Sequence, residues 1–111
     1  MKKVYLATPV HGRKESSLQE QKIEALKWCI ELRSKMSIAH PDWIVTFSFT
    51  VCPINEEIDE PTAMQCCYDL LRHCDIIVLD DSWMKSEGCK KERFFAISHR
   101  IRVLTLKEAL I

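Results

Sequence analysis

The sequence predicts a small α/β domain built on a parallel sheet of about four strands. Short aliphatic runs alternate along the chain with longer segments in which apolar residues recur at helical spacing. The aliphatic runs are nearly continuous rather than alternately polar, which is typical of parallel strands buried on both faces. A helix between consecutive strands is the connection that a parallel pair requires, so the pattern indicates βαβ units with right-handed crossovers.

Four runs are the predicted strands, and they are rich in the β-branched and aromatic residues that pack well on a pleated surface. The first is KVYLA (3–7) and the second is WIVTFSF (43–49). The third is DIIVL (75–79). The fourth is IRVLTL (101–106), and a short terminal helix in KEALI follows it.

The first predicted helix is long. Ser17 and Glu20 have the Ser-x-x-Glu spacing of a capping box, which marks its start, and the residues AHPD (39–42) end it. One face carries the apolar residues that we expect to be buried, with two isoleucines widening the stripe: Leu18, Ala25, Leu26, Cys29 and Met36, then Ile23 and Ile30.

The second predicted helix has the most regular apolar pattern, with Thr62 as its expected cap. The spacing assigns three cysteines to packing and leaves Asp69 off the buried face. A third helix is predicted from about Ser86 to His99. The apolar stripe of the second helix comprises Ala63, Cys66, Cys67, Leu70, Leu71 and Cys74.

The strand order that fits these connections is 2-1-3-4, as in small three-layer flavodoxin-like and Rossmann-like domains. Strands one and three are then neighbours whose connections leave in opposite directions, and a crevice opens at their carboxyl ends. The loops TPVHGR (8–13) and DDSWMKSEG (80–88) border this crevice. They are also the segments richest in polar chemistry, so the crevice is the predicted functional site.

Composition limits the classes of function. At 111 residues the chain can bury one core, so we expect a single domain over residues 1–111. The formal net charge is zero and the cationic residues are spread along the chain, which argues against a nucleic-acid polymer as partner. No signal peptide or membrane span is predicted, so we expect a cytoplasmic protein with no membrane partner.

Six cysteines invite a metal or disulfide interpretation. They include no Cys-x-x-Cys pair, and the histidines are not at metal-ligand spacing to them. We therefore expect reduced thiols that serve mainly as small core residues, and neither a metal nor another cofactor.

The start of the third helix is a candidate ligand site. Ser86 is a good N-cap, and Gly88 in the first turn lets a ligand approach the free amides. These amides favour a phosphate or a carboxylate, although most helix caps bind nothing. Glu92 lies four residues beyond Gly88 on the same face and is expected to lean back toward the crevice. The alternative is a surface glutamate paired with a neighbouring cation.

A glutamate in a cleft suits chemistry at a sugar carbon. It can attack an anomeric carbon and form a glycosyl-enzyme, which water or a second base resolves with net retention. Across the crevice, His11 and Arg13 either contact a phosphate or a base or are solvated loop residues. Asp80 or Asp81 could order the loop after strand three, and Trp83 is either a packing lid or, less favoured, a stacking surface.

The segments YLATPVHG (5–12), CDIIVLDDSW (74–83) and SEGCKKE (86–92) resemble, in order and spacing, the nucleoside 2-deoxyribosyltransferase superfamily. They are most similar to its group of short bacterial and phage domains, which carry a Gly-Pro-Met-x-Gly-type loop and a Trp-x-x-Ser-x-Gly-x-x-x-Glu motif. The resemblance covers nearly the whole chain. It implies an enzyme of the nucleoside deoxyribosyltransferase or nucleotide N-glycosidase type, which cleaves or transfers at the N-glycosidic bond of a (deoxy)nucleoside or nucleoside 5′-monophosphate.

The resemblance also implies roles for particular residues. Glu92 would be the nucleophile, Ser86 and Gly88 would hold the sugar 5′ end or its phosphate, and the 8–13 loop would close over it. Members are commonly dimers or larger homo-oligomers, which is the expected assembly. The implied substrate-binding residues are Tyr5, Thr8, His11, Gly12, Arg13, Trp83, Ser86 and Gly88.

The chain departs from the family pattern at three positions. Thr8 and Asp81 replace glycines, and Cys67 stands where the family has a helix aspartate that handles the base or its proton. Two main hypotheses follow. An enzyme acting on N-glycosidic bonds is favoured because Glu92 is retained, and the alternative is a non-catalytic nucleotide-binding or sensing domain that keeps the fold and pocket. A structural or interaction module is a third hypothesis.

Overall fold

The computed structural model describes residues 1–8, 18–47 and 60–111. Four strands form one sheet in the order β2-β1-β3-β4, and each neighbouring pair is parallel. This confirms the predicted α/β class and strand order. The strands are β1 (Lys2–Ala7), β2 (Trp43–Phe47), β3 (Ile76–Leu79) and β4 (Arg102–Thr105).

Helices connect the strands and flank the sheet. They are α1 (Leu18–Ala39), α2 (Glu60–Leu71), α3 (Glu87–Ser98) and α4 (Leu106–Ala109), with a 3₁₀ turn at Trp83–Lys85 before α3. Strand β4 ends at Thr105 because this residue and Glu108 form a capping box that opens α4. None of the helices in the described part of the chain is long and apolar enough to cross a membrane.

Alternate residues of β1 face opposite sides of the sheet, as strand geometry requires. Val4 and Leu6 pack into a core with residues of α1 and α4. Tyr5 and Ala7 pack into a second core with residues of α2 and α3. The central strand therefore sends one set of side chains toward α1 and the other toward α3, and the candidate site depends on this division.

The buried stripe of α1 differs from the predicted one. Ala25, Cys29, Leu32 and Met36 are each at most 1% exposed, and their spacing is that of one helical face. The predicted burial of Ile23 and Ile30 is wrong, because they are 40% and 43% exposed. At 100° per residue both lie roughly 130–150° round the helix from the centre of the buried stripe.

The three cysteines of the second predicted helix are largely where the sequence places them. Cys67 and Cys74 are buried and Cys66 is half-buried, and none of the three is in a disulfide. The helix ends at Leu71, so Cys74 packs from the turn beyond it. The prediction that Thr62 caps α2 is wrong, since the helix already begins at Glu60. Ser17, the predicted cap of α1, lies outside the described residues.

Burial on α1 makes a stability prediction. Leu32→Ala removes a side chain that is 1% exposed and is expected to lower the free energy of unfolding by about 2–5 kcal/mol, because a cavity is left behind. Ile30→Ala, on the exposed face of the same helix, is expected to change it by less than about 0.5–1 kcal/mol. Urea unfolding of both variants measures the difference, and equal losses would contradict the observed orientation of α1.

Candidate active site

Glu92 is buried, with 6% of its surface exposed. It lies on α3, whose N-cap is Ser86 as predicted: the Ser86 hydroxyl accepts the Cys89 amide N–H at 3.2 Å. The same face of α3 carries Cys89 and Ala96 into the core between α3 and the sheet. The alternative of a surface glutamate is therefore wrong.

The carboxylate of Glu92 accepts a hydrogen bond from the hydroxyl of Tyr5. Tyr5 is in the central strand β1 and is 1% exposed, within the core cluster on the side of α2 and α3. The bond joins groups 87 residues apart in the sequence and links β1 directly to α3. Because both partners are on regular elements, the position of the carboxylate is fixed by the fold rather than by a loop.

Two residues of α2 complete the surroundings of this pair. The thiol of Cys67 lies within hydrogen-bonding reach of the Tyr5 hydroxyl. Burial raises the pKa of the Tyr68 hydroxyl, and the nearby Glu92 and Cys67 raise it further. Cys67, which stands where the resembled family has an aspartate, thus adjoins the Tyr5–Glu92 pair.

Burial raises the pKa of Glu92 from its ordinary value of 4.5 to about 7, and the hydrogen bond from Tyr5 acts in the opposite direction. The dominant cause is the loss of water around the charged form. Burial, and then the neighbouring Glu92, raise the pKa of Tyr5 well above 10. The phenol therefore stays protonated at neutral pH, while Glu92 is poised between its acid and its carboxylate.

A second polar group lies at the carboxyl end of the sheet, on the face toward α1. Ala7 pairs with Leu79, and the Asp80 amide N–H donates to the Ala7 carbonyl at 3.0 Å, so Thr8 and Asp80 follow neighbouring strands. The Thr8 hydroxyl oxygen is buried and has no hydrogen-bond partner among the described residues. A buried hydroxyl without a partner is rare and is a natural contact for a ligand.

Asp80 orders the loop that follows β3. One of its carboxylate oxygens accepts the indole N–H of Trp28 at 2.7 Å, and the other accepts the amide N–H of Ser82 at 3.3 Å. The side chain is 5% exposed, whereas Asp81 is exposed. Of the two aspartates, Asp80 is the one that fixes the loop, and it does so through a tryptophan of α1.

Trp83 packs against the core cluster on the α2 and α3 side of the sheet, as favoured from the sequence. The guanidinium of Arg93 lies 5.0 Å from the centre of its ring, so one face is occupied. At Gly88 an added Cβ would meet Met64 and Ser86 only at 3.8 Å, which is ordinary contact. The protein's own packing therefore does not require a glycine at this position.

The structure brings Tyr5 and Glu92 together and places Ser86 and Gly88 at the start of the same helix. Thr8 lies at the end of β1, and His11, Gly12 and Arg13 lie outside the described residues. Sequence reasoning missed the direct Tyr5–Glu92 bond and the Trp28–Asp80 bond. The first could have been found from the period of two in β1, which turns Tyr5 away from the α1 side.

Comparison with known proteins places the chain in a family. Residues 2–105 match the family described as Domain of unknown function (DUF4406), and the chain belongs to it. No curated protein matches it. Among solved structures, it is similar to a 2-desoxiribosyltransferase from Leishmania mexicana, at 17% sequence identity and a TM-score of 0.66. The match covers 95% of this chain and 63% of that one, so this chain spans less than two thirds of its length. At this identity the similarity establishes the shared fold.

The buried carboxyl makes a prediction about stability and pH. The folded protein holds a proton on Glu92 at pH values where the unfolded chain has lost it, since the pKa is about 7 when folded and 4.5 ordinarily. The contribution of Glu92 to the free energy of unfolding is therefore fully present below about pH 4.5 and is lost as the pH rises through about 7. The loss amounts to roughly 3 kcal/mol.

Glu92→Gln imitates the protonated form and should remove this dependence. Above pH 7 the variant is expected to unfold at higher denaturant concentration than the natural protein, with the difference vanishing near pH 4.5. The control is Glu87→Gln on the exposed side of α3, which should keep the natural slope. Urea midpoints measured from pH 4.5 to 8.5 test this, and an unchanged slope in Glu92→Gln would contradict it.

Proposed function

We propose that this chain cleaves or transfers at the N-glycosidic bond of a (deoxy)nucleoside or nucleoside 5′-monophosphate, with Glu92 as the nucleophile. The observation that carries the proposal is the burial of Glu92 against Tyr5, without an ion pair to any described cation. A glutamate is among the residues least often buried, because desolvating its charge is costly. Its retention in this place is best explained by chemistry that needs it.

The proposed reaction has two steps. An oxygen of the Glu92 carboxylate attacks C1′ of the sugar, the bond from C1′ to the base breaks, and a glycosyl ester forms. Water or a second base then attacks C1′ from the face opposite the ester bond and restores the carboxylate, with net retention. Tyr5 would act by holding one carboxylate oxygen, which leaves the other free to face the sugar.

The remaining contacts are part of the same proposal. Ser86 and Gly88, at the start of α3, would hold the sugar 5′ end or its phosphate. Thr8 would bind a substrate hydroxyl, supported by its buried oxygen without a described partner. The loop of residues 8–13 would supply His11, Gly12 and Arg13. We also propose a homodimer or larger homo-oligomer in the cytoplasm.

One observation favours a second candidate function, a non-catalytic nucleotide-binding or sensing domain. Cys67 is the residue of α2 that adjoins Tyr5, and its thiol is a weaker acid than the carboxyl group that the family resemblance implies at this position for handling the base or its proton. A domain that only binds its ligand has no need of such a group. Binding without turnover would support this function.

Base release is the direct test of the enzyme. The purified chain is incubated with ribo- and deoxynucleosides and their 5′-monophosphates, and free base is measured by chromatography. Glu92→Gln is expected to reduce the rate on the order of 10³-fold or more, because the nucleophile is lost. Glu87→Gln serves as the matched control and should retain the rate. Cleavage that persists in Glu92→Gln would rule out the mechanism, and thermal stabilisation by nucleotides without turnover would establish the second candidate.

The pH dependence of kcat/KM provides an independent prediction. Only the carboxylate form of Glu92 can attack, so kcat/KM is expected to rise with pH and level off above about 7, the pKa of the group. Tyr5→Phe removes the hydrogen bond that lowers this pKa, so the rise should move to higher pH. A rise centred near 4.5, or one unmoved by Tyr5→Phe, would contradict the assignment.

A further inference from the structure

Among the residues that the structure describes, the groups that face Glu92 are weak acids. From β1 the facing group is Tyr5, and from α2 the facing groups are Cys67 and Tyr68. The cations on its own helix are engaged elsewhere: Arg93 lies over the Trp83 ring at 5.0 Å, and Lys90 pairs with Glu87 at 3.3 Å. Lys91 is exposed.

No cation in the described part of the chain compensates the charge of an ionised Glu92 carboxylate. Burial and the Tyr5 bond are the two causes that set the pKa of Glu92, and neither is a cation. The hydrogen bond offsets only part of the cost of removing a carboxylate from water. A positively charged ligand placed against Glu92 would offset the remaining cost and would favour the ionised, nucleophilic form of the side chain. The substrate itself can thus activate the nucleophile.

The same neighbours are weaker acids than a carboxyl group and are therefore weaker proton donors to a leaving base. A general acid is most effective when its pKa lies near the working pH. Burial raises the pKa of Tyr5 and of Tyr68 further above 10, and an ordinary thiol ionises near 8.5. A neutral base would leave as an anion unless it were protonated. A base that is already cationic needs no proton, because the electrons of the broken bond neutralise it.

An aromatic surface lies on α2 and α3, the helices that carry Cys67 and Glu92. Tyr68 is partly exposed and stacks on Phe95, with ring centres 4.7 Å apart and planes 10° apart. Phe95 in turn stacks on His99 at 3.9 Å. A planar cation would suit these surroundings, because a carboxylate and an aromatic ring both attract positive charge.

We propose that the substrate is the N-glycoside of a cationic aromatic base, of the N-ribosylpyridinium type. This inference rests on the proposed function and names its substrate class. The Glu92 carboxylate attacks C1′, the C1′–N bond breaks with its electron pair going to the ring nitrogen, and the base leaves neutral. Water then adds its oxygen to C1′, releases one proton and frees the carboxylate.

The test compares substrates that share a sugar and differ in the charge of the base. Nicotinamide riboside and its 5′-monophosphate carry a pyridinium, whereas inosine, uridine and their 5′-monophosphates carry neutral bases. The quantity compared is base release by the natural chain minus release by Glu92→Gln. We expect this Glu92-dependent release to be at least about 100-fold faster for the cationic substrates. Proton transfer to a leaving group usually contributes about this factor, and a cationic base leaves without it.

A binding measurement separates this effect from the intrinsic reactivity of pyridinium glycosides. 1-Methylnicotinamide, which is methylated on the ring nitrogen, is an unreactive cation, and nicotinamide is its neutral counterpart. At pH 8, Glu92→Gln is expected to weaken binding of the cation at least about tenfold, because the compensating charge is gone. Binding of nicotinamide should change less than about twofold. Equal effects on the two compounds would contradict the inference.

The outcomes distinguish the inference from the function on which it rests. Glu92-dependent release from inosine or uridine at rates similar to nicotinamide riboside would overturn the inference and leave the proposed function standing. No Glu92-dependent release from any substrate would overturn both.

Cys67→Asp gives a gain-of-function test. A carboxyl group beside Glu92 would have a raised pKa, since two neighbouring carboxylates resist ionising together, and could protonate a neutral base. We expect cleavage of inosine to rise at least about tenfold in this variant but not in Cys67→Ser, the control for polarity at the same site. A folded Cys67→Asp protein, verified by its circular dichroism spectrum, that gains nothing on inosine would contradict the argument.

Discussion

The hydrogen bond between Tyr5 and Glu92 is the contact on which the candidate site depends. It joins the central strand of the sheet to α3, and both residues are almost wholly buried. The phenol gives the carboxylate one partner, and burial then keeps the acid from ionising fully at neutral pH. A core built for stability alone would place an apolar side chain there, because a buried acid with one hydrogen bond costs free energy.

The sheet separates this acid from a second polar group. Tyr5 and Glu92 lie on the side of α2 and α3, whereas Asp80 is bonded to Trp28 on the side of α1. Thr8 and Asp80 meet where β1 and β3 end, at the point where the chain connections diverge. In the proposed function, a ligand in that crevice would contact Thr8 on one side and Glu92 on the other. The parallel topology therefore accounts for why residues from distant parts of the chain converge there.

Much of the fold follows from the sequence, because strand period and helical spacing are local properties. Continuous aliphatic runs located all four strands, and the Ser86 cap located α3. The orientation of α1 was harder to predict: Ile23 and Ile30 are apolar, and only the position of the helix on the sheet shows that they face outward. The Tyr5–Glu92 and Trp28–Asp80 bonds join residues 87 and 52 positions apart, so a local pattern can indicate the side of the sheet that a residue faces but not its distant partner.

The proposed mechanism requires Glu92 to attack the sugar and become esterified. The most direct measurement is mass spectrometry of the protein, quenched during turnover of a nucleoside that carries fluorine at C2′ of its sugar. The fluorine slows breakdown of a glycosyl ester. The account predicts one added glycosyl group, located on the peptide that contains Glu92 and absent from Glu92→Gln. Release of base without an adduct, or an adduct on any other residue, would contradict it.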